Sequence, residues 1–270
     1  MPLPKYAILN KAVGETPLSC AEAWRADKPE LAGVPLAYAG RLDPMASGKL
    51  LVLIGDECKV QEQYHAFDKE YEFSVLFGVC SDTADVLGRL TITDTLPTIT
   101  YNQITTIAES LIGDVELPYP HFSSKTIQGK PLHVWTLEGR LNEITIPTKR
   151  STIYKLTGTK LETKSRADIY TEASDKIETI PKVTEASKAL GNDFRRTDVR
   201  TDWKRFAETV TPTDTFFIGH FTCISSSGTY MRTLAEVIAK HCNTTGLAYH
   251  IHRTEIGIYD PATTKWVKQF

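Results

Sequence analysis

The sequence predicts an α+β protein with one large mixed, mostly antiparallel sheet that is flanked by helices. Several segments alternate apolar and polar residues at period two, which is typical of half-buried strands. Other segments place apolar residues at helical spacing. Strands and helices do not follow one another in the strict alternation of a parallel βαβ fold, so we expect helices packed on a mixed sheet.

The N-terminal segments predict a strand and then a helix. "KYAILNK" alternates as a short strand, and the prolines at positions 2 and 4 delay its start. "PLSCAEAWRAD" has the composition of a helix. Ser19 is the expected N-cap because Glu22 follows three residues later, at the spacing of a capping box.

Two apolar segments predict the central strands. "KLLVLIG" is a continuous apolar run closed by Gly55, which indicates a buried strand. "KEYEFSVLFGV" is the clearest half-buried strand, because alternate residues from Tyr71 to Phe77 are large and apolar.

The second half of the chain predicts two helices and three strands. "NQITTIAESLIG" indicates a helix that ends at Gly113, and "GTYMRTLAEVIAKHC" a helix with an apolar stripe. "STIYKLTGTKLE" and "DTFFIGHFTCIS" are rich in β-branched and aromatic residues, as strands are. "YHIHRTEIGIY" is expected to be the last strand.

The composition favours a cytoplasmic protein. The 270 residues are 41% hydrophobic and 24% charged, which is ordinary for a globular chain. No apolar run approaches the ~20 residues of a membrane span, and the N-terminus lacks a signal-peptide pattern. The five cysteines form no CxxC pair, which favours a reducing compartment over a disulfide framework or a zinc site. We expect a cytoplasmic monomer with no membrane partner.

The sequence offers no pattern for a resident metal or cofactor. It has no glycine-rich phosphate loop, no HExxH and no GxSxG. His250 and His252 share a face of a predicted strand, but no third ligand lies nearby in the sequence. Packing or nucleic-acid contact is therefore favoured over metal binding for this pair, and no metal is predicted. The net charge of −2 means that any nucleic-acid surface must be a local positive one.

The segment "YAGRLDPMASG" carries the leading candidate for chemistry. Asp43 precedes Pro44, which disfavours helical backbone at Asp43, and the flanking glycines permit a tight turn. Such an aspartate is either a turn former or a reactive carboxylate that is held in place. Arg232 favours the second interpretation, because it is predicted in the first turn of a helix, where the helix dipole disfavours a cation. That unfavourable position suggests a specific carboxylate partner, and Asp43 is the candidate.

Six segments resemble the motifs of one family. "AGRLDPMASGKLLVLIGDECK" is similar to the catalytic motif of the pseudouridine synthases, and most similar to that of the TruB family. Further segments resemble TruB motifs and occur in the family's order: "NKAVGETPLSCAEA", "KEYEFSVLFGVCSDTADVLG", "FSSKTIQGKPL", "GTYMRTL" and "HRTEIG". The resemblance implies the pseudouridine synthase fold.

The resemblance also implies roles for individual residues. Asp43 matches the nucleophilic aspartate that attacks the target uridine. Tyr71 matches the tyrosine that stacks on the flipped base and is placed to take the C5 proton, and Arg232 matches the arginine that pairs with the aspartate. The substrate-binding residues implied are Tyr38, Arg41, Lys69, Lys125 and Tyr230. The implied reaction needs no cofactor.

The chain departs from the family pattern at several points. Tyr38 stands where the family usually has a histidine that fills the space left by the flipped base. Arg41 gives "GRLD", as in the RluA-like and RsuA-like relatives, and Lys125 lies one place earlier in its motif than usual. Eleven residues follow Tyr259, so no C-terminal RNA-binding PUA domain is expected.

A charged region interrupts the motifs between Thr163 and Thr211. It is poor in large apolar residues, and its segments indicate short amphipathic helices. We therefore predict a single catalytic domain over residues 1–270 with a helical subdomain inserted at residues 163–211. Its composition favours a solvated surface excursion. Direct contact with RNA is the alternative, through a basic cluster of Arg195, Arg196, Arg200, Lys204 and Arg205.

The function implied is that of an enzyme, a tRNA pseudouridine synthase of the TruB type. The expected partner is the T-arm of tRNA, and the expected target is the uridine at position 55 of the TΨC loop, flipped out for reaction. Two alternatives stay open: the same chemistry on ribosomal RNA, and a non-catalytic RNA-folding module. Asp43, Tyr71 and Arg232 argue against the module, because a pure binding protein has no need of a buried ion pair.

Overall fold

A nine-stranded sheet forms the centre of the protein in the computed structural model, which describes residues 3–92, 98–181, 196–209 and 215–270. Its strands are β1 (Tyr6–Lys11), β2 (Leu36–Ala39), β3 (Ser47–Ile54), β4 (Asp68–Phe77), β7 (Gly113–Pro118), β10 (Thr148–Ser165), β11 (Thr215–Ser225), β12 (Gly246–Asp260) and β13 (Lys265–Gln269). Two hairpins lie outside it: β5 (Val79–Ser81) with β6 (Leu90–Ile92), and β8 (Thr126–Ile127) with β9 (Lys130–Pro131).

The strand order is β1-β3-β12-β4-β11-β10-β7, with β2 paired to β3 and β13 paired to β12. Every pair is antiparallel except β3 and β12, which run parallel over a short stretch. The predicted mixed, mostly antiparallel sheet is confirmed. The parallel pairing sets Gly48 beside Arg253, and this register brings β12 against the loop that follows β2.

Helices flank the sheet. They are α1 (Pro17–Ala26), α2 (Gln61–His65), α3 (Tyr101–Ser110), α4 (Leu132–Leu137), α5 (Arg166–Thr179), α6 (Arg196–Glu208) and α7 (Met231–His241). The main hydrophobic core lies between β4, β10, β11 and β12 and the helices α3, α5, α6 and α7. None of the helices in the described part of the chain is both long and apolar enough to cross a membrane.

β3 is buried on both faces, which explains its continuous apolar run. Leu50 and Val52 pack in a cluster with residues of β1 and α1. Leu51 and Leu53 point to the opposite face and pack in a second cluster with Ile256 of β12. A strand covered on both sides has no solvent face that would call for polar residues.

The inserted helices α5 and α6 belong to the main core. Trp203 is fully buried, and its ring lies 5.4 Å from that of Phe206, which in turn lies 5.2 Å from Phe216 of β11. Ile169 and Ile177 of α5 are in the same cluster. The expectation of a solvated surface excursion is therefore wrong for these two helices. The predicted helix "VTEASKALG" and Arg195 lie outside the described residues.

The first helix begins earlier than predicted. Thr16 is its N-cap, and Ser19 occupies the third helical position. The Ser19 amide donates to the Thr16 hydroxyl oxygen at 3.0 Å, and the Thr16 amide donates to the Ser19 hydroxyl oxygen at 2.8 Å. Pro17 accounts for the shift, because proline fits the first helical position, where no amide hydrogen bond is lost.

Several strands were not predicted, among them β7 and the β5–β6 hairpin. β2 precedes the segment that carries Asp43, and it contains Tyr38. The segment around Lys125 folds into the β8–β9 hairpin, whose turn residues Gln128 and Gly129 both have positive φ. β12 is followed by β13, so the predicted last strand is the last but one.

Candidate active site

Asp43 lies in the tight loop that joins β2 to β3. Its carbonyl oxygen accepts a hydrogen bond from the Ala46 amide at 3.0 Å, which closes a turn around Pro44. Gly48 ends this turn with φ of 105°, and a Cβ atom there would lie 2.2 Å from the carbonyl oxygen of Arg253. Only glycine lets the loop approach β12 so closely.

Two buried cations hold this loop from below. Lys11 Nζ donates to the carbonyl of Ala46 at 2.6 Å, and burial lowers the pKa of Lys11 to about 8. Arg253 donates from Nε to the carbonyl of Lys49 at 2.7 Å and from its terminal nitrogen to that of Gly40 at 3.0 Å. The sequence did not single out either cation, although both belong to motif segments, "NKAVGET" and "HRTEIG".

Asp43 forms an ion pair with Arg232. The Asp43 Oδ2 atom lies 2.7 Å from the Arg232 Nε atom, at the first turn of α7. The Arg232 side chain is 6% exposed and that of Asp43 is 39% exposed. The predicted partnership of the two residues is confirmed, and the carboxylate is the member of the pair that faces solvent.

Asp85 is a second carboxylate at the same guanidinium. Its Oδ2 atom lies 3.8 Å from Arg232 Nε, and it is almost completely buried. The carbonyl of Thr83 accepts a hydrogen bond from Arg232 at 2.8 Å. Sequence reasoning did not choose Asp85 as a site residue. The signal was its place in the motif "SDTAD".

The charges of this trio follow from burial and pairing. Burial opposes the charge on Arg232, but the nearby carboxylates of Asp43 and Asp85 outweigh it and raise the pKa of Arg232. Burial raises the pKa of Asp85, and the Arg232 guanidinium opposes that rise. Arg232 therefore stays protonated, and its cation is held between one buried and one accessible carboxyl group.

Tyr71 lies on β4 with its side chain in the main core. It belongs to the same hydrophobic cluster as Leu42 and Met45, which flank Asp43 in the loop. On the neighbouring strand, Arg253 pairs in register with Tyr71. The structure thus places the aromatic candidate on the sheet beneath the loop that carries the carboxylate.

Tyr230 immediately precedes α7 and lies near the ion pair. Its pKa is raised by burial and, to a smaller extent, by the charges of Tyr119 and Asp43. The rings of Tyr230 and Tyr119 are 5.6 Å apart, and the ammonium of Lys125 lies 5.2 Å from the Tyr119 ring centre. The exposed Lys125 therefore reaches the edge of the site through these two rings.

Tyr38 and Arg41 lie on the other side of the loop. Tyr38 is half-buried on β2, where it packs against the cluster of Leu9 and Val52. The exposed Arg41 guanidinium lies 5.9 Å from the Tyr38 ring centre, within the range of a cation–π contact.

Lys69 occupies a structural position. It is buried and donates to the backbone carbonyls of His65, at 3.1 Å, and Phe67. Burial, and to a smaller extent the charge of Arg253, lowers the pKa of Lys69 to about 8. The ammonium lies beneath Gly40 rather than at the accessible carboxylate of Asp43. Its predicted contact with substrate stays a prediction.

The two histidines of β12 form no metal centre with other described residues. Their rings are 6.4 Å apart and nearly parallel, and His252 Nδ1 lies 2.8 Å from the hydroxyl oxygen of Ser47. Across the described ranges, no group of three or more histidine, cysteine, aspartate or glutamate side chains is arranged to hold a metal ion.

Asp43, Tyr71 and Asp85 lie in a stretch of the chain that matches one family model. Residues 33–178 match the family model described as "TruB family pseudouridylate synthase (N terminal domain)". The chain therefore belongs to the TruB family, whose members are isomerases.

Curated relatives agree with this family. The chain is 26% identical to tRNA pseudouridine synthase B of Caldicellulosiruptor saccharolyticus, over 94% of this chain and 67% of that protein. It is 32% identical to tRNA pseudouridine synthase 4 of Saccharomyces cerevisiae, over 46% of this chain and 31% of that protein. The matches span from about a third to two thirds of these relatives' lengths. Among solved structures, a chain in a crystal structure of a Cbf5–Nop10–Gar1 complex gives a TM-score of 0.49 at 13% identity, over 94% of this chain and 49% of that chain.

Proposed function

We propose that this protein isomerises a uridine of tRNA to pseudouridine, and that its target is uridine 55 in the TΨC loop of the T-arm. Family membership supports the chemistry, and the names of the curated relatives, tRNA pseudouridine synthases, support the class of RNA. We further propose that it works as a monomer in the cytoplasm, and the five free thiols fit such a reducing compartment.

The ion pair between Asp43 and Arg232 is the observation that carries the proposal. The reaction breaks the N1–C1′ bond, forms a C5–C1′ bond, releases the C5 proton to solvent and adds a proton from solvent to N1, so the overall change is an isomerisation without an added oxidant or co-substrate. It needs an ionised nucleophile at the target nucleotide. The buried Arg232 guanidinium lies 2.7 Å from the solvent-facing Asp43 carboxylate, so the two opposite charges attract and hold that carboxylate in place.

The aromatic residues around the pair fit a flipped base. A uridine in a folded loop must leave its stack before Asp43 can reach it, and stacking on an aromatic ring compensates by ~1–3 kcal/mol. In the proposed complex Tyr71 stacks on the flipped base and accepts the C5 proton, and Tyr230 lines the same pocket. Tyr38, with Arg41 over its ring, fills the gap in the RNA loop.

Turnover on a defined RNA tests the proposal. Unmodified tRNA transcript labelled with tritium at uridine C5 should release tritium with the wild-type protein, and release should disappear when uridine 55 is replaced by cytidine. Release that persists after this replacement would point to another uridine. Release from ribosomal RNA alone would transfer the activity to that substrate, and tight tRNA binding without release would favour an RNA-folding module.

A further inference from the structure

The loop that presents Asp85 is tied together by its own hydrogen bonds. We call residues 81–90 the Asp85 loop. Thr83 Oγ1 donates to Asp85 Oδ1 at 2.6 Å, and the Leu87 amide donates to the same oxygen at 2.9 Å. Ala84 has φ of 60°, and its carbonyl accepts from the Ala248 amide of β12 at 2.9 Å. These hydrogen bonds therefore join the backbone of the loop and the buried carboxylate of Asp85 into one unit.

Helix α6 of the insertion holds the outer end of this loop. Asp202 accepts from Arg89 Nε at 2.6 Å, from the terminal nitrogen of Arg89 at 3.3 Å and from the Leu90 amide at 3.1 Å. The indole of the fully buried Trp203 donates to the carbonyl of Val86 at 2.9 Å. Two consecutive residues of α6 thus bind three positions of the Asp85 loop.

Helix α5 ends beside Gly14, which supports the loop that carries Asp43. Gly14 has φ of 93°, and a Cβ atom there would lie 2.5 Å from the carbonyl oxygen of Thr179 at the end of α5. The Gly14 amide donates to the carbonyl of Pro44 at 2.9 Å, directly after Asp43. The insertion therefore contacts the supports of both carboxylates that hold Arg232.

We propose that the inserted helices position the catalytic ion pair, with Asp202 and Trp203 as positioning residues that act through the Asp85 loop on Arg232. Only the kcat measurements that test this proposal rest on the proposed function. Asp85 and the Thr83 carbonyl fix the guanidinium from one side, so a displaced loop moves the cation that Asp43 requires. Displacements of this kind far from the reacting atoms reduce turnover without removing any contact to substrate.

Asp202→Asn tests the proposal, with Glu178→Gln as the matched control. Asparagine keeps the volume of Asp202 but replaces one acceptor oxygen with an NH2 group, which cannot pair with Arg89. Glu178→Gln makes the same carboxylate-to-amide change in an ion pair between α5 and α6, in which Glu178 Oε1 lies 2.6 Å from Arg200 Nε. That pair does not involve the Asp85 loop.

We expect Asp202→Asn to lower kcat about tenfold and to leave KM within about twofold, because neither Asp202 nor Arg89 is among the residues assigned to substrate binding. Glu178→Gln should leave kcat unchanged. Arg89→Gln should lower kcat to a similar extent, and the double variant Arg89→Gln/Asp202→Asn should be no slower than the slower single variant, because both changes break one contact.

A readout without turnover separates this proposal from the proposed function. The Arg232 side chain is buried, so we expect its Nε–H to exchange slowly with water, and its signal in arginine-labelled NMR spectra is assigned by its loss in Arg232→Lys. We expect that signal to shift and to exchange faster in Asp202→Asn but not in Glu178→Gln. If Asp202→Asn and Glu178→Gln give the same NMR signal and the same kcat, the positioning role is wrong. If the wild type makes no pseudouridine, the proposed function fails, and the NMR comparison still decides the positioning role.

Discussion

The Oδ2 atom of Asp43 lies 2.7 Å from the Nε atom of Arg232, with the cation buried and the carboxylate open to solvent. Asp85, on the far side, is almost completely buried and lies 3.8 Å from the same nitrogen. The two carboxylates therefore differ in their exposure to solvent, and we expect their roles to differ for that reason. Asp85 stabilises the buried cation, and Asp43 is the one a nucleotide can reach.

Replacing Arg232 should reduce both activity and stability, and a second change at Asp85 should restore the stability alone. Arg232→Met leaves Asp85 buried without its cation, which is strongly destabilising, and also removes the cation closest to Asp43. We expect a lower melting temperature and little turnover. The double variant Arg232→Met/Asp85→Asn should recover stability, because no unpaired buried charge remains, but not turnover. A double variant that is less stable than Arg232→Met would contradict this account of Asp85.

Lys69 should give a pH-dependent contribution to stability. Its pKa in the folded state is about 8, below its ordinary value of 10.5, because burial disfavours the charged form. Between these two values the unfolded chain keeps a proton that the folded chain has lost, so the free energy of unfolding rises with pH in that window. Below pH 8 both states are protonated, and the cost of burying the charge is fully present.

Urea unfolding of the wild type and of Lys69→Met from pH 7 to pH 10.5 measures this effect. The difference between the two proteins cancels the other titrating groups. We expect the wild type to gain stability relative to Lys69→Met as the pH rises above about 8, by about 1.4 kcal/mol for each unit of pKa difference at most. A difference that does not change with pH would place Lys69 in contact with solvent.

Gly48 should be far less tolerant of substitution than Gly33. Both have positive φ, which costs an L-residue roughly 1–2 kcal/mol. At Gly33 nothing lies within 4 Å of an added Cβ, whereas at Gly48 the Arg253 carbonyl oxygen would lie 2.2 Å away. We expect Gly33→Ala to cost about this strain alone, and Gly48→Ala to cost clearly more and to reduce turnover. If urea unfolding shows that both variants lose the same free energy of unfolding, the loop at Gly48 can shift to accommodate the added Cβ atom.

The exposed basic residues of α6 remain candidates for contact with RNA, even though the helix is packed on the core. Lys204 and Arg205 have side chains that are 69% and 73% exposed. Replacing both with alanine should weaken tRNA binding and reduce the slope of log affinity against log salt by up to about two. Replacing Lys5 and Lys59, which are equally exposed outside the insertion, removes the same charge. Equal slopes for the two double variants would remove any special role of α6.

The parts of the site that could be predicted are those marked by a local sequence pattern or by a motif. The alternation from Tyr71 to Phe77 defined β4, and the unfavourable place of Arg232 in the first turn of α7 indicated its partner. Lys11 and Arg253 escaped notice, because they act on backbone carbonyls that only the folded chain brings together.

The insertion shows a different limit of the sequence. Ile169, Trp203 and Phe206 lie in the main core, although most residues of the two inserted helices are polar or charged. Because each helix contributes only a few buried residues, its overall composition is that of a surface helix. Long-range contacts, such as that of Trp203 with Val86, depend on where the helices dock. No local pattern encodes that docking.

Asp43→Asn tests the central claim most directly. The substitution keeps the size of the side chain and removes the negative charge, so the loop should fold while nucleophilic attack should fail. The melting temperature should fall, because Arg232 loses its closest anion. The measurement is tritium release from C5-labelled tRNA, together with tRNA affinity. We expect no release by Asp43→Asn and an affinity within a few-fold of the wild type; release at the wild-type rate would contradict the assignment of Asp43 as the nucleophile.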